Sequence, residues 1–306
     1  MVYTMQSEIA HDGILNGKAL AAAIRRRMAA EVAEMRAAGH VPVLAVVRVG
    51  DDPASKVYVG AKHRACAEVG VGSRKIELGE DTTEADLLAV VAQLNGDPEV
   101  DGILVQLPLP GHIDAEKVTR AVAPGKDADG FHPDNLGDMF TSAALLEPCT
   151  PRGCMALLAA AGVELRGLSA VVVGRSIIVG RPVAQMLLRR DATVTICHRH
   201  TRNLEELVRG ADVVIAATGV RNLVHGEWIK PGAVVIDVGI NRDDQGRLCG
   251  DVEFETAHKN AAWITPVPGG VGPMTVATLI WNTLLAARRR RGLPLSDNPS
   301  DWIPTP

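Results

Sequence analysis

Aromatic side chains make up only 3% of this 306-residue chain: four Trp, three Phe and two Tyr. A core with so few rings must be filled by aliphatic side chains, and 47% of the residues are hydrophobic, many of them Ala and Val. That balance suits helices packed on parallel strands, whose two buried faces are filled by Val and Ile. A strong charge of either sign is also missing. The formal net charge is −4, so no global field draws the chain to nucleic acid. No uncharged apolar run reaches the roughly 18 residues of a helical membrane span. The opening MVYTMQSEIAHDG has neither a basic n-region nor an apolar h-region, so no secretory signal is expected. The five cysteines (Cys66, Cys149, Cys154, Cys197, Cys249) form no CxxC pair, and the nine histidines show no HExxH spacing. No metal site and no disulfide framework are expected, and the compartment reads as a reducing cytoplasm.

At 306 residues the chain exceeds a typical single core, so two domains are expected. Helix and strand alternate along the first half. Leu20, Ile24, Met28, Val32 and Met35 recur at helical spacing, with Gly39 as a stop. Val43 to Val49 reads as a strand, Ala54 to Val69 as a helix, Ser73 to Leu78 as a weak strand and Thr83 to Leu94 as a helix. Asp101 to Gln106 is another strand. Such alternation predicts a parallel sheet with ligands at the carboxyl ends of its strands. Pro148 to Pro151 reads as a junction, and a final helix is expected from Met274 to about Arg291, ending in four arginines read as a solvated terminus. Residues 293–306 carry four prolines and read as a disordered tail.

The richest stretch is Ser169 to Arg202. A β-branched run, Ala170 to Val173, stops at Gly174; Gly180 follows, then a helical Pro182 to Leu188 and a second strand, Thr193 to Cys197. Strand, glycine turn, helix and strand form the βαβ unit that holds a dinucleotide pyrophosphate on the amides of a helix N-terminus. The turn is GRSIIVG, with Ser176 at the second glycine position, so the pattern alone is weak. The second strand end says more. An NAD site places Asp or Glu about 20 residues after the first glycine. Here that place reads His198-Arg199-His200-Thr201-Arg202, basic and without a carboxylate. A cationic pocket suits the 2′-phosphate of NADP.

Three segments of the first half carry candidate chemistry. Tyr58 and Lys62 are i and i+4 on one helix, with Ser55 near its start; an ordinary helix would show a half-buried tyrosine beside a snorkelling lysine. Gln106 closes an apolar strand, where an amide needs a hydrogen-bond partner. Lys126-Asp127-Ala128-Asp129-Gly130-Phe131 sets two carboxylates in a turn. Near the end, Pro266 to Pro273 packs glycines and prolines too densely for regular structure and reads as a stiff loop able to approach a ligand.

Together these segments resemble the bifunctional methylenetetrahydrofolate dehydrogenase/methenyltetrahydrofolate cyclohydrolase family over nearly the whole chain. PVPGGVGPMT and the KxxDGF loop are the most specific matches; Ala128 and Arg199 depart from the commonest family residues. The resemblance implies two α/β domains with the active site in the cleft between them. Residues 1–148 form a parallel-sheet folate domain completed by helix 274–291, residues 149–273 a Rossmann-type NADP domain, and residues 292–306 a flexible tail. It implies oxidation of 5,10-methylenetetrahydrofolate by NADP, then hydrolysis of the methenyl cation to 10-formyltetrahydrofolate. Lys62 becomes the acid/base, oriented by Gln106, while Tyr58 stacks on the folate and Asp129 takes the pterin amino edge. A cationic intermediate beside Lys62 favours the neutral amine, which can assist attack by water. Ser55, Pro268, Gly269 and Gly270 are implied substrate contacts; Gly174, Arg175, Ser176, Gly180, Arg199 and Ile240 are implied cofactor contacts. A homodimer with tetrahydrofolate substrates is implied, with no nucleic-acid or membrane partner. The rival readings are a monofunctional NAD(P) dehydrogenase and a non-catalytic nucleotide sensor. Retention of Tyr58, Lys62, Gln106 and Asp129 argues against both.

Overall fold

The computed structural model describes residues 8–141 and 144–294. In chain order the strands are β1 (Ala10–His11), β2 (Ile14–Leu15), β3 (Val43–Val49), β4 (Gly72–Leu78), β5 (Gly102–Val105) and β6 (Ser169–Val173). They continue as β7 (Thr193–Cys197), β8 (Val213–Ala216), β9 (Val234–Asp237), β10 (Asn241–Arg242), β11 (Leu248–Cys249) and β12 (Trp263–Ile264). The chain divides into two compact units, one holding 8–24 and Thr150–Thr275, the other Arg25–Cys149 and 276–294.

In the Arg25–Cys149 unit three parallel strands lie in the order β4-β3-β5. Ala45, Val47, Val49 and Ile103 pack against Leu87, Val91 and Leu94 of helix Glu84–Gly96. Each such aliphatic side chain, fully buried, contributes about 1.5–3 kcal/mol. Helix Pro53–Val69 starts where Asp52 accepts a hydrogen bond from the Ser55 N–H and Pro53 fills the first turn; it ends at Gly70 in the left-handed region. Such caps act locally, which is why this helix was legible before folding.

The other unit is built on a seven-stranded sheet in the order β1-β2-β12-β9-β8-β6-β7. The strands from β12 to β7 are parallel, and helix Gly180–Leu188 buries Val183, Met186 and Leu187. The expected boundary needs correcting at the amino end. Ile14 of β2 pairs in parallel with Ile264 of β12, and β1 pairs antiparallel with β2, so residues 10–15 extend this sheet rather than the first. The two short strands cover an otherwise open edge of β12.

Two expectations for the last helix also change. It runs Val271–Arg290, so Val271, Gly272 and Pro273 belong to its first turn rather than to an irregular loop. A proline is tolerated there because first-turn N–H groups have no intrahelical acceptor. Nor is its basic end simply solvated. Arg290 and Arg291 reach Oδ1 of Asp101 at 2.8 and 2.5 Å, and Arg288 reaches Glu31 at 3.1 Å. Asp101 is fully buried, and a buried carboxylate requires a paired cation. Most of the expected tail, from residue 295, lies outside the described residues.

Candidate functional site

Helix Pro53–Val69 sets Tyr58 and Lys62 one turn apart. Tyr58 is 44% exposed, whereas Lys62 is only 9% exposed and does not snorkel. The Lys62 Nζ donates to Oε1 of Gln106 at 2.9 Å. Gln106 leaves the end of β5 with its own N–H on the Val47 carbonyl at 2.8 Å. Its Nε2 donates to the Leu107 carbonyl at 2.6 Å, which leaves Oε1 turned toward the lysine. A neutral acceptor fixes the amine in place without cancelling its charge. Ser55 is buried in the first turn, where its N–H donates to Asp52 at 2.7 Å.

The loop after Pro124 holds its charges unequally. Lys126 donates to the carbonyls of Leu94 and Asp97 at 2.9 and 2.7 Å. Asp127 accepts from the N–H groups of Gly130 and His132 and from Asn135 Nδ2. Both are structural. Asp129 differs: among the described residues no donor reaches its carboxylate. Burial pushes it up to about 6, while the charge of Lys62 pulls it down and that of Asp127 pushes it further up. Gly130 turns the loop at φ +75°, and a Cβ there would overlap the backbone of Glu147 and Pro148.

Asn282 escaped the sequence reading. From the final helix its Nδ2 donates to the carbonyls of Ala128 (2.9 Å) and Glu147 (2.8 Å), and Cys149 Sγ donates to the same Ala128 carbonyl at 3.2 Å. The backbone beside Asp129 is thereby pinned from two directions. The available signal was an amide inside the apolar run Leu279-Ile280-Trp281-Asn282-Thr283-Leu284-Leu285. In this unit Lys62 and Gln106 are joined directly, Lys62 and Asp129 electrostatically, and Tyr58 stands exposed one turn from Lys62. The set offers a proton carrier, an acceptor for N–H donors and a ring face.

Pro268, Gly269 and Gly270 belong to the other unit. There the Gly269 carbonyl accepts from the Lys18 N–H at 2.9 Å, so part of this loop holds the start of helix Gly17–Ala37.

Gly174 follows β6 at φ +128°, and a Cβ there would overlap the carbonyl oxygen of Ala217. Only glycine lets the turn pass. Gly180 opens the helix beyond, where the Ser176 hydroxyl accepts from the N–H groups of Val179 and Gly180 at 3.2 and 3.4 Å. Ser176 therefore also takes up N–H groups at the helix start. Arg175, Arg199 and Arg202 are exposed at the ends of β6 and β7. Among the described residues no carboxylate pairs with any of them; Arg199 Nε meets only His200 Nε2 at 3.1 Å. Unpaired guanidinium groups beside a helix N-terminus fit a phosphorylated dinucleotide. Ile240 stands exposed after β9, at the same carboxyl edge of the sheet.

Comparison with known proteins covers both units. Residues 15–129 match the family model of the tetrahydrofolate dehydrogenase/cyclohydrolase catalytic domain, and residues 148–291 that of its NAD(P)-binding domain. The bifunctional protein FolD of Geotalea uraniireducens is 57% identical over 277 residues, covering 90% of this chain and 99% of that one. The bifunctional methylenetetrahydrofolate dehydrogenase/cyclohydrolase FolD of Campylobacter jejuni superposes with a TM-score of 0.88 at 46% identity, over 90% of this chain and 99% of that one. The Trypanosoma brucei methylenetetrahydrofolate dehydrogenase-cyclohydrolase, solved with NADP cofactor and inhibitor, gives 0.87 at 42% identity, over 91% and 98%. The chain belongs to the tetrahydrofolate dehydrogenase/cyclohydrolase family.

Proposed function

We propose that the chain oxidises 5,10-methylenetetrahydrofolate with NADP to the 5,10-methenyl cation and then hydrolyses that cation to 10-formyltetrahydrofolate. The observation that carries this reading is the pair of buried Lys62 and half-buried Gln106, at 2.9 Å, beside the carboxylate of Asp129, which feels the charge of Lys62 and which no donor reaches among the described residues. Asp129 accepts the paired N–H donors of the pterin edge. The Tyr58 ring packs on the folate, worth about 0.5–1.5 kcal/mol beyond area burial. NADP, when bound, supplies the hydride acceptor. Arg199 and Arg175 take its 2′-phosphate, Gly174, Ser176 and Gly180 its pyrophosphate, and Ile240 packs on a ring.

In the second step a water oxygen bonds to the methenyl carbon. Lys62 takes a proton from that water, and Gln106 holds the amine in line. The bond from that carbon to N5 then breaks, N5 receives a proton back from Lys62, and one proton leaves to solvent. Ser55 and the Pro268-Gly269-Gly270 loop contribute to the substrate site. The domain assignment is two α/β domains: a folate domain centred on Arg25–Cys149 with the final helix, and an NADP domain centred on Thr150–Thr275. The chain acts in the cytoplasm as a homodimer. All five cysteines are free thiols, as a reducing compartment requires, and among the described residues no helix is long and apolar enough to cross a membrane.

The test is purified protein with methylenetetrahydrofolate and NADP or NAD, following both products spectroscopically. Methenyl formation followed by formyl formation is expected. Methenyl accumulation alone would replace the reading with a monofunctional dehydrogenase, and neither product would remove it. Sedimentation at twice the chain mass checks the dimer.

A further inference from the structure

Asp251 belongs to no group assigned above and is completely buried. Its Oδ2 accepts from the N–H groups of Thr218 (2.5 Å) and Gly219 (3.0 Å) and from the Thr218 hydroxyl (2.9 Å). Its Oδ1 accepts from Asn241 Nδ2 at 2.8 Å. Thr218 and Gly219 lie in the loop leaving β8, and Asn241 follows the loop leaving β9. One carboxylate thus ties together two loops at the carboxyl ends of neighbouring parallel strands. Asp251 is itself held, its N–H donating to Asp237 Oδ1 at 3.0 Å. Asp237 closes β9 and also accepts from the N–H groups of Gly239 and Val252, both at 2.9 Å. Burying two carboxylates is costly unless donors surround them, and here fixed amides do so.

The tie has a specific cargo. Val220 directly follows Gly219 and is 51% exposed; Ile240 directly precedes Asn241 and is 55% exposed. With Ile177 and Ile178 after β6 they leave aliphatic surface open along the edge where a doubly wound sheet receives its ligand. We propose that Asp251 is a positioning residue for the dinucleotide: by fixing the loops after β8 and β9 it sets Val220 and Ile240 as the wall against which the cofactor packs. This rests on the NADP reading above.

The test is calorimetric NADP titration of the full chain as parent, Asp251→Ala, Val220→Ala/Ile240→Ala and the triple variant. Asp251→Ala should weaken NADP binding about tenfold, and the loss should shrink markedly in the Val220→Ala/Ile240→Ala background, because coupled residues are non-additive. The KM for methylenetetrahydrofolate should stay within about twofold of the parent, since a loss confined to the wall removes cofactor binding alone. A merely structural aspartate would lower both affinities together, or act additively with the wall. Either result overturns the proposal, as does unchanged NADP affinity. A parent that fails to bind NADP overturns the cofactor reading instead. If Asp251→Ala does not fold, Asn241→Ala removes a single bond to the carboxylate and enters the same cycle.

Discussion

The Lys62 Nζ and the Gln106 side-chain carbonyl lie 2.9 Å apart, and the other end of the amide is spent on the Leu107 carbonyl. The amine is therefore aimed by a group that does not itself take a proton at neutral pH. Lys62→Met keeps much of the side-chain volume and removes the amine. Cyclohydrolase activity should fall about 10²–10⁴-fold, the usual worth of acid–base assistance. Dehydrogenase activity should remain measurable, since hydride transfer needs mainly alignment, and the methenyl compound should accumulate. Gln106→Ala should act in the same direction but more mildly. Hydrolysis of methenyltetrahydrofolate by Lys62→Met at the parent rate would show that another group activates the water.

Acid should weaken folate binding through Asp129. Burial pushes this carboxyl up to about 6, so below that pH it carries a proton and loses its capacity to accept two N–H donors. The KM for methylenetetrahydrofolate should rise roughly tenfold per pH unit below 6 and be flat in Asp129→Asn.

Stability follows with the opposite sense. An unfolded aspartate titrates near 3.9, so between about pH 4 and 6 the folded chain keeps a proton that the unfolded chain has released. Raising pH through that window lowers stability. Asp237, also pushed up to about 6 by burial, adds the same slope in parent and variant alike. Urea midpoints at pH 4.5 and 6.5 should therefore drop further in the parent than in Asp129→Asn.

Cofactor preference should depend on Arg199 only in part. Its guanidinium is exposed and, among the described residues, paired with no carboxylate, but Arg175 and Arg202 are placed alike at the same strand ends. A charge-assisted bond contributes about 1.5–3 kcal/mol. Arg199→Ser should narrow the NADP-over-NAD ratio of kcat/KM without abolishing it. Equal efficiency with the two cofactors in the parent would contradict the assignment.

Breaking the Asp101 anchor should unfold the chain early. The carboxylate accepts from Arg290, Arg291 and the Val43 N–H, and it has no solvent to fall back on. Asp101→Ala takes the carboxylate from two arginines, which keep only backbone carbonyls, and the acceptor from an amide, so unfolding free energy should drop by about 3 kcal/mol or more. Chemical denaturation measures this directly, and a change below about 1 kcal/mol would mean the pair is solvent-compensated.

Features set by near neighbours in the chain are legible without coordinates. Val43–Val49 and Thr193–Cys197 were legible as strands because β-branched runs bounded by glycine and polar residues carry their own signal. The Asp52 cap, the turn at Gly174 and the basic stretch after Cys197 are equally local, so the cofactor class and the pair Tyr58–Lys62 could be named without coordinates. Features that need a partner far along the chain become visible only in the fold. Gln106 stands 44 residues from Lys62, and Asn282 stands 154 from Ala128. The two arginines that hold Asp101 look like any solvated helix end until burial of that carboxylate is seen. Residues 10–15 are too short for a strand signal of their own. Only the open edge of β12, some 250 residues later, gives their backbone groups a place to pair.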